Sequence, residues 1–262
     1  MRVGLFVPCY IDQLYPDVGF ASVELLEAHG VQVEVPAEQA CCGQLLTNRG
    51  AVAAARPLAL HFEAAFGGFD HIVCPSGSCT AALHHHAGWF GAPNPGAGAA
   101  GRVYELCQFL VQVLGVEHPS VRSPDVRFPY KVALHESCHG LRELGLGRPS
   151  ELGRRASAPA SPARRLLEQL PALTLVEPER TDECCGFGGS FSVVEPAVSA
   201  RMGSDRLGDF ERAGAEVVTS ADMSCLMHLA GLSERQGRPL RVMHIAQVLM
   251  GRALPPARGA RP

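Results

Sequence analysis

Short apolar runs set off by glycine and proline recur along the chain, with longer mixed stretches between them. Residues 3–7, 32–35, 72–74 and 102–104 are β-branched or apolar runs of strand length and predict strands. Between them, 17–29 opens on an acid and closes at Gly30, alanine-rich 47–66 closes at Gly67-Gly68, and 105–114 closes at Gly115; these predict helices. Pro57 inside the second predicts a kink or break, because proline lacks an N–H and its ring clashes with the preceding turn. The same order returns in the second half, with strands predicted at 131–135, 173–176, 216–219 and 241–243. Alternating strands and helices predict an α/β fold with largely parallel sheets flanked by helices.

The two halves also match residue by residue. Arg2-Val-Gly-Leu-Phe-Val-Pro-Cys9 aligns with Lys131-Val-Ala-Leu-His-Glu-Ser-Cys138, and Ala40-Cys-Cys-Gly43 with Glu183-Cys-Cys-Gly186. The stretch from Phe69 to Cys79 aligns with Ala215 to Cys225, and Val103 to Leu110 with Val242 to Leu249, without gaps. Matched blocks in one order mean duplication, so the fold expected is two pseudo-symmetric repeats, 1–125 and 126–254. Their boundary is expected near 117–128, where His118-Pro and Ser123-Pro punctuate the chain. Stretches 91–101 and 145–162 predict loops, the second an excursion that lengthens the second repeat, and the patternless 255–262 predicts a disordered tail.

Composition narrows the function. The 262 residues are 47% hydrophobic and 19% charged with net charge −3, an ordinary globular balance with no basic stripe for nucleic acid or a membrane surface. The N-terminal apolar run ends at Pro8, too short for a signal peptide and far from the roughly 18 residues of a membrane span. A cytoplasmic location is expected. The ten cysteines are then poor disulfide candidates, since the cytosol keeps thiols reduced, and better read as metal ligands or reactive thiols.

Eight of the ten fall at matched positions: Cys9, Cys41, Cys42 and Cys79, then Cys138, Cys184, Cys185 and Cys225. Each single cysteine sits in a loop past a strand and each pair precedes a glycine. Loops beyond the carboxyl ends of α/β strands converge on one edge, so four thiolates from three loops can meet there. Disulfides are disfavoured by compartment and by adjacency. Structural zinc suits four thiolates but usually draws them from C-x₂₋₄-C knuckles. Iron–sulfur clusters require such soft thiolate sets and are the favoured reading. Cys74, at a strand end, is a possible further iron ligand, and Cys107 a buried small hydrophobe. Histidines gather nearby: His135 and His139 about Cys138, His228 after Cys225, and His84-His85-His86 in a segment that reads as an exposed loop. His135 and Glu136 form the pair expected to handle protons. No Gly-x-Gly-x-x-Gly or Walker loop appears, so neither nicotinamide, other nucleotide nor flavin is expected.

The doubled Cys–x(n)–Cys-Cys-Gly–x(m)–Cys pattern resembles the cysteine-rich (CCG) domain family, which includes the cluster-bearing component of heterodisulfide reductase and the iron–sulfur component of glycolate oxidase. Pro75-Ser-Gly-Ser-Cys79, His135-Glu-Ser-Cys-His139, Glu183-Cys-Cys-Gly-Phe-Gly-Gly189 and Asp222-Met-Ser-Cys-Leu-Met-His228 look like a short stand-alone subgroup of it, over residues 1 to about 254. The resemblance implies two [4Fe–4S] clusters on the eight matched cysteines. It further implies an electron-transfer role in oxidising L-lactate to pyruvate, with a ferredoxin-like iron–sulfur partner and other subunits. A heterodisulfide-reductase-like thiol/disulfide catalyst and a zinc-stabilised scaffold without redox activity are the alternatives. In the heterodisulfide reductase component each motif ends C-x-x-C and a fifth cysteine helps hold a noncubane cluster. Here Ser76 and Asp222 occupy the matching positions, which leaves cubane or noncubane geometry open.

Overall fold

The predicted strands form, each within a residue or two of its expected bounds. The computed structural model describes residues 1–89, 98–119, 126–152 and 160–255. Two units result, Met1–Gly115 and Val116–Pro262, divided just before the expected stretch. In the first, β1 (Arg2–Leu5), α1 (Cys9–Leu14), α2 (Pro16–Ala28), β2 (Gln32–Glu34), α3 (Gln44–Thr47), α4 (Val52–Phe66), β3 (His71–Cys74), α5 (Gly77–Trp89), β4 (Val103–Glu105) and α6 (Leu106–Gln108) follow in order. Its sheet is wholly parallel, in the order β2-β1-β3-β4. The second unit contains β5 (Lys131–Leu134), α7 (Pro162–Glu168), β6 (Thr174–Leu175), α8 (Phe191–Val194), α9 (Pro196–Arg212), β7 (Val217–Ser220), α10 (Met223–Arg235), β8 (Arg241–His244) and α11 (Ile245–Leu249). Its parallel sheet, β6-β5-β7-β8, repeats the first.

The central strands β1, β3, β5 and β7 are covered on both faces and therefore read as near-continuous apolar runs, while the edge strands β2 and β6 stay partly exposed. Val3, Leu5, Ile72 and Val73 are fully buried, as are Val132, Ala133, Val217 and Val218. The valine, leucine and isoleucine side chains among them stabilise by about 1.5–3 kcal/mol each when fully buried. In both sheets the chain leaves the central strand pair in opposite directions. That leaves a crevice beyond the carboxyl ends of β1 and β3, and another beyond β5 and β7.

Several expectations are corrected. The helix expected over 47–66 begins only at Val52, as α4; the short α3 ends at Thr47, and a turn in which Gly50 takes φ 75° parts the two. Pro57 does not break α4, because it lies on the exposed face where water can serve the carbonyl left without a donor. The 105–114 helix is the single turn α6 followed by a wide π-helical turn, Phe109–Val113. Cys9, Cys79 and Cys225 lie in the first turns of α1, α5 and α10 instead of in loops. The 91–101 stretch ends in a 3₁₀ turn, Ala99–Arg102, whose Ala99 and Ala100 N–H groups donate to Glu63 at 2.7 and 3.1 Å. The remainder of that loop, the centre of the 145–162 excursion, residues 120–125 and the tail beyond 255 lie outside the described residues.

A matched device ends each sheet. Glu105 caps α6 by accepting from the Cys107 and Gln108 N–H groups, both at 3.0 Å, while Gln108 accepts from Glu105. His244 caps α11 through Nδ1, which accepts from Ala246 at 3.2 Å, with Gln247 returning the bond. Glu105→Ala should lower stability by about 1–2 kcal/mol in urea unfolding, since the cap is lost in a buried setting.

Candidate metal centres

The cysteines of each unit meet in its crevice. Cys9 comes from the start of α1 beyond β1, Cys41 and Cys42 from the loop after β2, and Cys79 from the first turn of α5 beyond β3. Cys42 Sγ lies 3.3 Å from Cys79 Sγ, and Cys41 hydrogen-bonds both Cys9 and Cys42. The second unit repeats the arrangement, with Cys184 hydrogen-bonded to Cys138 and Cys185, and Cys185 to Cys225, all as free thiols. In each set two sulfurs are buried (Cys42, Cys79; Cys185, Cys225) and two stand half-exposed at the rim (Cys9, Cys41; Cys138, Cys184).

The Cys-Cys-Gly turns explain the local geometry. Gly43 takes φ 80° and Gly186 φ 86°, left-handed conformations that side chains resist. The turn aims the Gly43 N–H at Cys41 Sγ and the Gly186 N–H at Cys184 Sγ, each at 3.4 Å, and the Phe187 N–H at Cys185 Sγ at 3.5 Å. Amides pointed at sulfur favour the thiolate. Cys41 and Cys184 are accordingly held down to about 2, first by the neighbouring thiols that donate to them and then by these amides. Their neighbours are pushed up: Cys9, Cys42, Cys138 and Cys185 each donate to an ionised sulfur, lose solvation and face like charge. Four crowded thiols cannot all ionise on their own. A cationic centre among them removes that conflict, and an all-sulfur donor set selects soft metals or iron–sulfur cores.

The positions of the missing fifth cysteines have another use. Ser76 Oγ accepts from the Cys79 N–H at 3.2 Å, and buried Asp222 accepts from the Ser224 N–H at 3.2 Å. Both are helix N-caps, a role serine and aspartate fill well and cysteine does not. Cys74 is fully buried in the same apolar core as Cys42 and Cys79, and its thiol donates to the Ser76 carbonyl at 3.6 Å. Cys107 is fully buried on α6, burial pushing its thiol well up.

The histidines sort differently from expectation. His84–His86 lie on α5, not in a loop, because Ser76 starts a helix that the alanines after Cys79 continue. Successive side chains then splay by about 100°. His84 Nε2 reaches the Val103 carbonyl at 2.7 Å, His85 is exposed, and buried His86 donates to the Cys42 carbonyl at 2.8 Å. His139 Nδ1 lies 3.5 Å from Cys138 Sγ. Burial holds His228 below the usual imidazole range.

His135 and Glu136 are not brought together, since successive residues leaving a strand face opposite sides. Glu136 lines a cavity with Arg164 and Glu177, and burial lifts its carboxyl. His135 turns the other way, to the cysteines. A ring nitrogen of His135 and the sulfurs of Cys185 and Cys225 all lie within 4.8 Å of one another. Burial, and then Arg206, hold this imidazole down to about 3. Arg206 itself was missed by the sequence reading. It is fully buried, donates Nε to His135 Nδ1 at 3.4 Å and pairs with Asp209 at 3.2 Å.

The family model for the cysteine-rich domain, CCG, matches residues 3–84 and 132–230. The chain is 42% identical over 256 residues to lactate utilization protein A of Geobacillus kaustophilus (strain HTA426), a match covering 96% of this chain and 100% of the relative. The protein of the same name from Shouchella clausii (strain KSM-K16) is 41% identical, over 95% of this chain and 98% of its own. That of Exiguobacterium sp. (strain ATCC BAA-1283 / AT1b) is 40% identical, over 95% and 96%. Among the described residues, no helix is long and apolar enough to cross a membrane.

Proposed function

The chain belongs to the cysteine-rich CCG-domain family, and from that membership we propose that it is an iron–sulfur electron-transfer subunit of a system oxidising L-lactate to pyruvate. The observation that carries the iron–sulfur reading is the doubled set of four sulfurs, each at the carboxyl edge of its own parallel sheet, with backbone amides aimed at them. Cys9, Cys41, Cys42 and Cys79 would hold one [4Fe–4S] cluster and Cys138, Cys184, Cys185 and Cys225 the other. The 3.3 Å contact of Cys42 and Cys79 is shorter than the roughly 3.8 Å between sulfurs around a tetrahedral zinc, given Zn–S bonds of about 2.3 Å, so these two sulfurs would have to part to hold a metal between them. Cys74 has no counterpart in the second repeat and is not assigned to a cluster. One-electron exchange is what such a cluster supplies when bound.

The protein's own residues position and tune it. The glycine turns fix amide donors, the buried cysteines exclude water, and the rim cysteines keep one edge of each set near the surface, where a partner can approach. The lactate assignment rests on the names of the relatives. Lactate oxidation releases two electrons, which calls for an oxidoreductase partner and an acceptor beyond this chain. A ferredoxin-like iron–sulfur protein and a cytoplasmic setting fit that role.

Protein purified without oxygen should contain about eight iron and eight acid-labile sulfide per chain, and Cys42→Ser/Cys79→Ser should lose roughly half of each. Zinc in place of iron, or no sulfide, refutes the cluster reading. Deleting the gene should abolish growth on L-lactate while leaving growth on pyruvate intact; unchanged growth on lactate refutes the substrate assignment.

A further inference from the structure

The two repeats place different chemistry beneath their cysteines. The Phe6 N–H bonds the Val73 carbonyl at 2.9 Å and the His135 N–H bonds the Thr219 carbonyl at 2.7 Å, so Phe6 and His135 occupy the same place in the two folds. Phe66 of α4 packs on Phe6 with ring centroids 5.7 Å apart, and Phe210 of α9 packs on His135 at 6.2 Å. One helical turn before them stand Phe62, 5.8 Å from Phe6, and Arg206, bonded to His135. Three phenyl rings in the first unit thus become imidazole, guanidinium and phenyl in the second.

Arg206 also settles how His135 carries its proton. A guanidinium Nε–H only donates, so the His135 Nδ1 that receives it must be the accepting nitrogen. The neutral ring then bears its hydrogen on Nε2. That Nε2 is buried, has no hydrogen-bond partner among the described residues, and belongs to a ring with a nitrogen within 4.8 Å of Cys185 and Cys225 Sγ. A nitrogen holding a hydrogen has no lone pair for a metal.

Resting on the iron–sulfur reading above, we propose that His135 is not a ligand but the N–H donor to sulfur at the second cluster, fixed in that tautomer by Arg206, and that it raises that cluster's reduction potential. Phe6 provides no such donor to the first. A hydrogen bond to sulfur stabilises the added electron, as does nearby positive charge. Buried Asp222, which stands where the first unit has Ser76, acts in the opposite direction. The test is therefore the shift caused by substitution, not the order of the two potentials.

His135→Phe copies the first unit's own residue into the site. His135→Gln preserves both bonds, an amide oxygen to accept from Arg206 and an amide N–H to donate. Anaerobic potentiometric titration followed by electron paramagnetic resonance, with iron counted on each sample, reads the outcome. His135→Phe should keep full iron and move one cluster signal to lower potential while the other stays; His135→Gln should restore most of the shift. Loss of about half the iron in His135→Phe with retention in His135→Gln would make the residue a structural or ligating group and overturn the proposal. So would full iron with no shift. Wild-type protein free of iron and sulfide would instead fell the cluster reading on which this inference stands.

Discussion

Gly186→Ala should destabilise the protein by about 3–5 kcal/mol, and Gly43→Ala, at the same place in the other repeat, by only about 1–2. Both positions share the left-handed backbone, φ 86° and 80°, and a side chain there costs roughly 1–2 kcal/mol. The surroundings differ. A Cβ on Gly43 would meet Leu58 Cδ1 at 3.4 Å and Ala55 Cβ at 3.5 Å, ordinary van der Waals contacts that require no shift. A Cβ on Gly186 would stand 2.7 Å from both Met202 Cβ and the Ser199 carbonyl oxygen, the backbone of α9 itself. A helix backbone held by its own hydrogen bonds cannot yield as a leucine tip can. Overpacking adds about 1–3 kcal/mol. Displacing Gly186 also withdraws its N–H from Cys184, so Gly186→Ala should bind less iron while Gly43→Ala stays near full loading. Urea unfolding with parallel iron analysis reads both, and equal midpoint shifts for the two variants would refute the packing account.

That contrast also shows what could and could not be read from the chain. The strands were legible because short apolar runs between Gly and Pro occur twice in one order, and tertiary burial on both faces left them without competing periodicity. The cysteine sets were legible for the same reason: duplication turns a weak Cys-Cys-Gly into a pattern. The differences between repeats were not. Arg206 and His135 are 71 positions apart, and on α9 the arginine looks like any polar residue of an amphipathic helix. A usable signal existed, since carrying the repeat alignment through the helices sets Arg206 against Phe62, a charge against a core aromatic. The triple histidine was misread because three polar residues in a row look like a loop, whereas helical phase sends one of them into the core. The break expected at Pro57 does not form because the effect of a proline depends on which face of the helix it occupies, and local sequence does not fix that. Glu136 was paired with His135 on adjacency alone, which in extended chain means opposite faces.

Asp209→Asn should cost about 3–5 kcal/mol at pH 7, because it removes the only carboxylate paired directly with buried Arg206 among the described residues and leaves the more distant Glu183 and Asp182 to offset its charge. Both side chains of this pair are fully buried. Arg206 has further partners in the Arg180 and Thr181 carbonyls, which solvate the guanidinium but do not neutralise it. Burial alone would raise the Asp209 carboxyl. The Arg180 and Glu179 N–H groups, donating at 3.0 and 3.2 Å, together with Arg206 outweigh that and hold it below its ordinary 3.8. The sign of the pH dependence follows. A carboxyl with a depressed folded-state value contributes its full stability above the unfolded-chain value near 3.9, and loses it as pH falls through the folded one. The gap between wild type and Asp209→Asn should therefore be flat from pH 7 to about pH 5 and close below pH 4. Urea midpoints across that range read it, and a gap under about 1 kcal/mol at pH 7, or one that widens in acid, would contradict the assignment. The same pair supports the second sulfur set. With Asp209 neutral, Arg206 has less reason to stay buried, and His135 loses the neighbour that dictates which of its nitrogens faces Cys185 and Cys225.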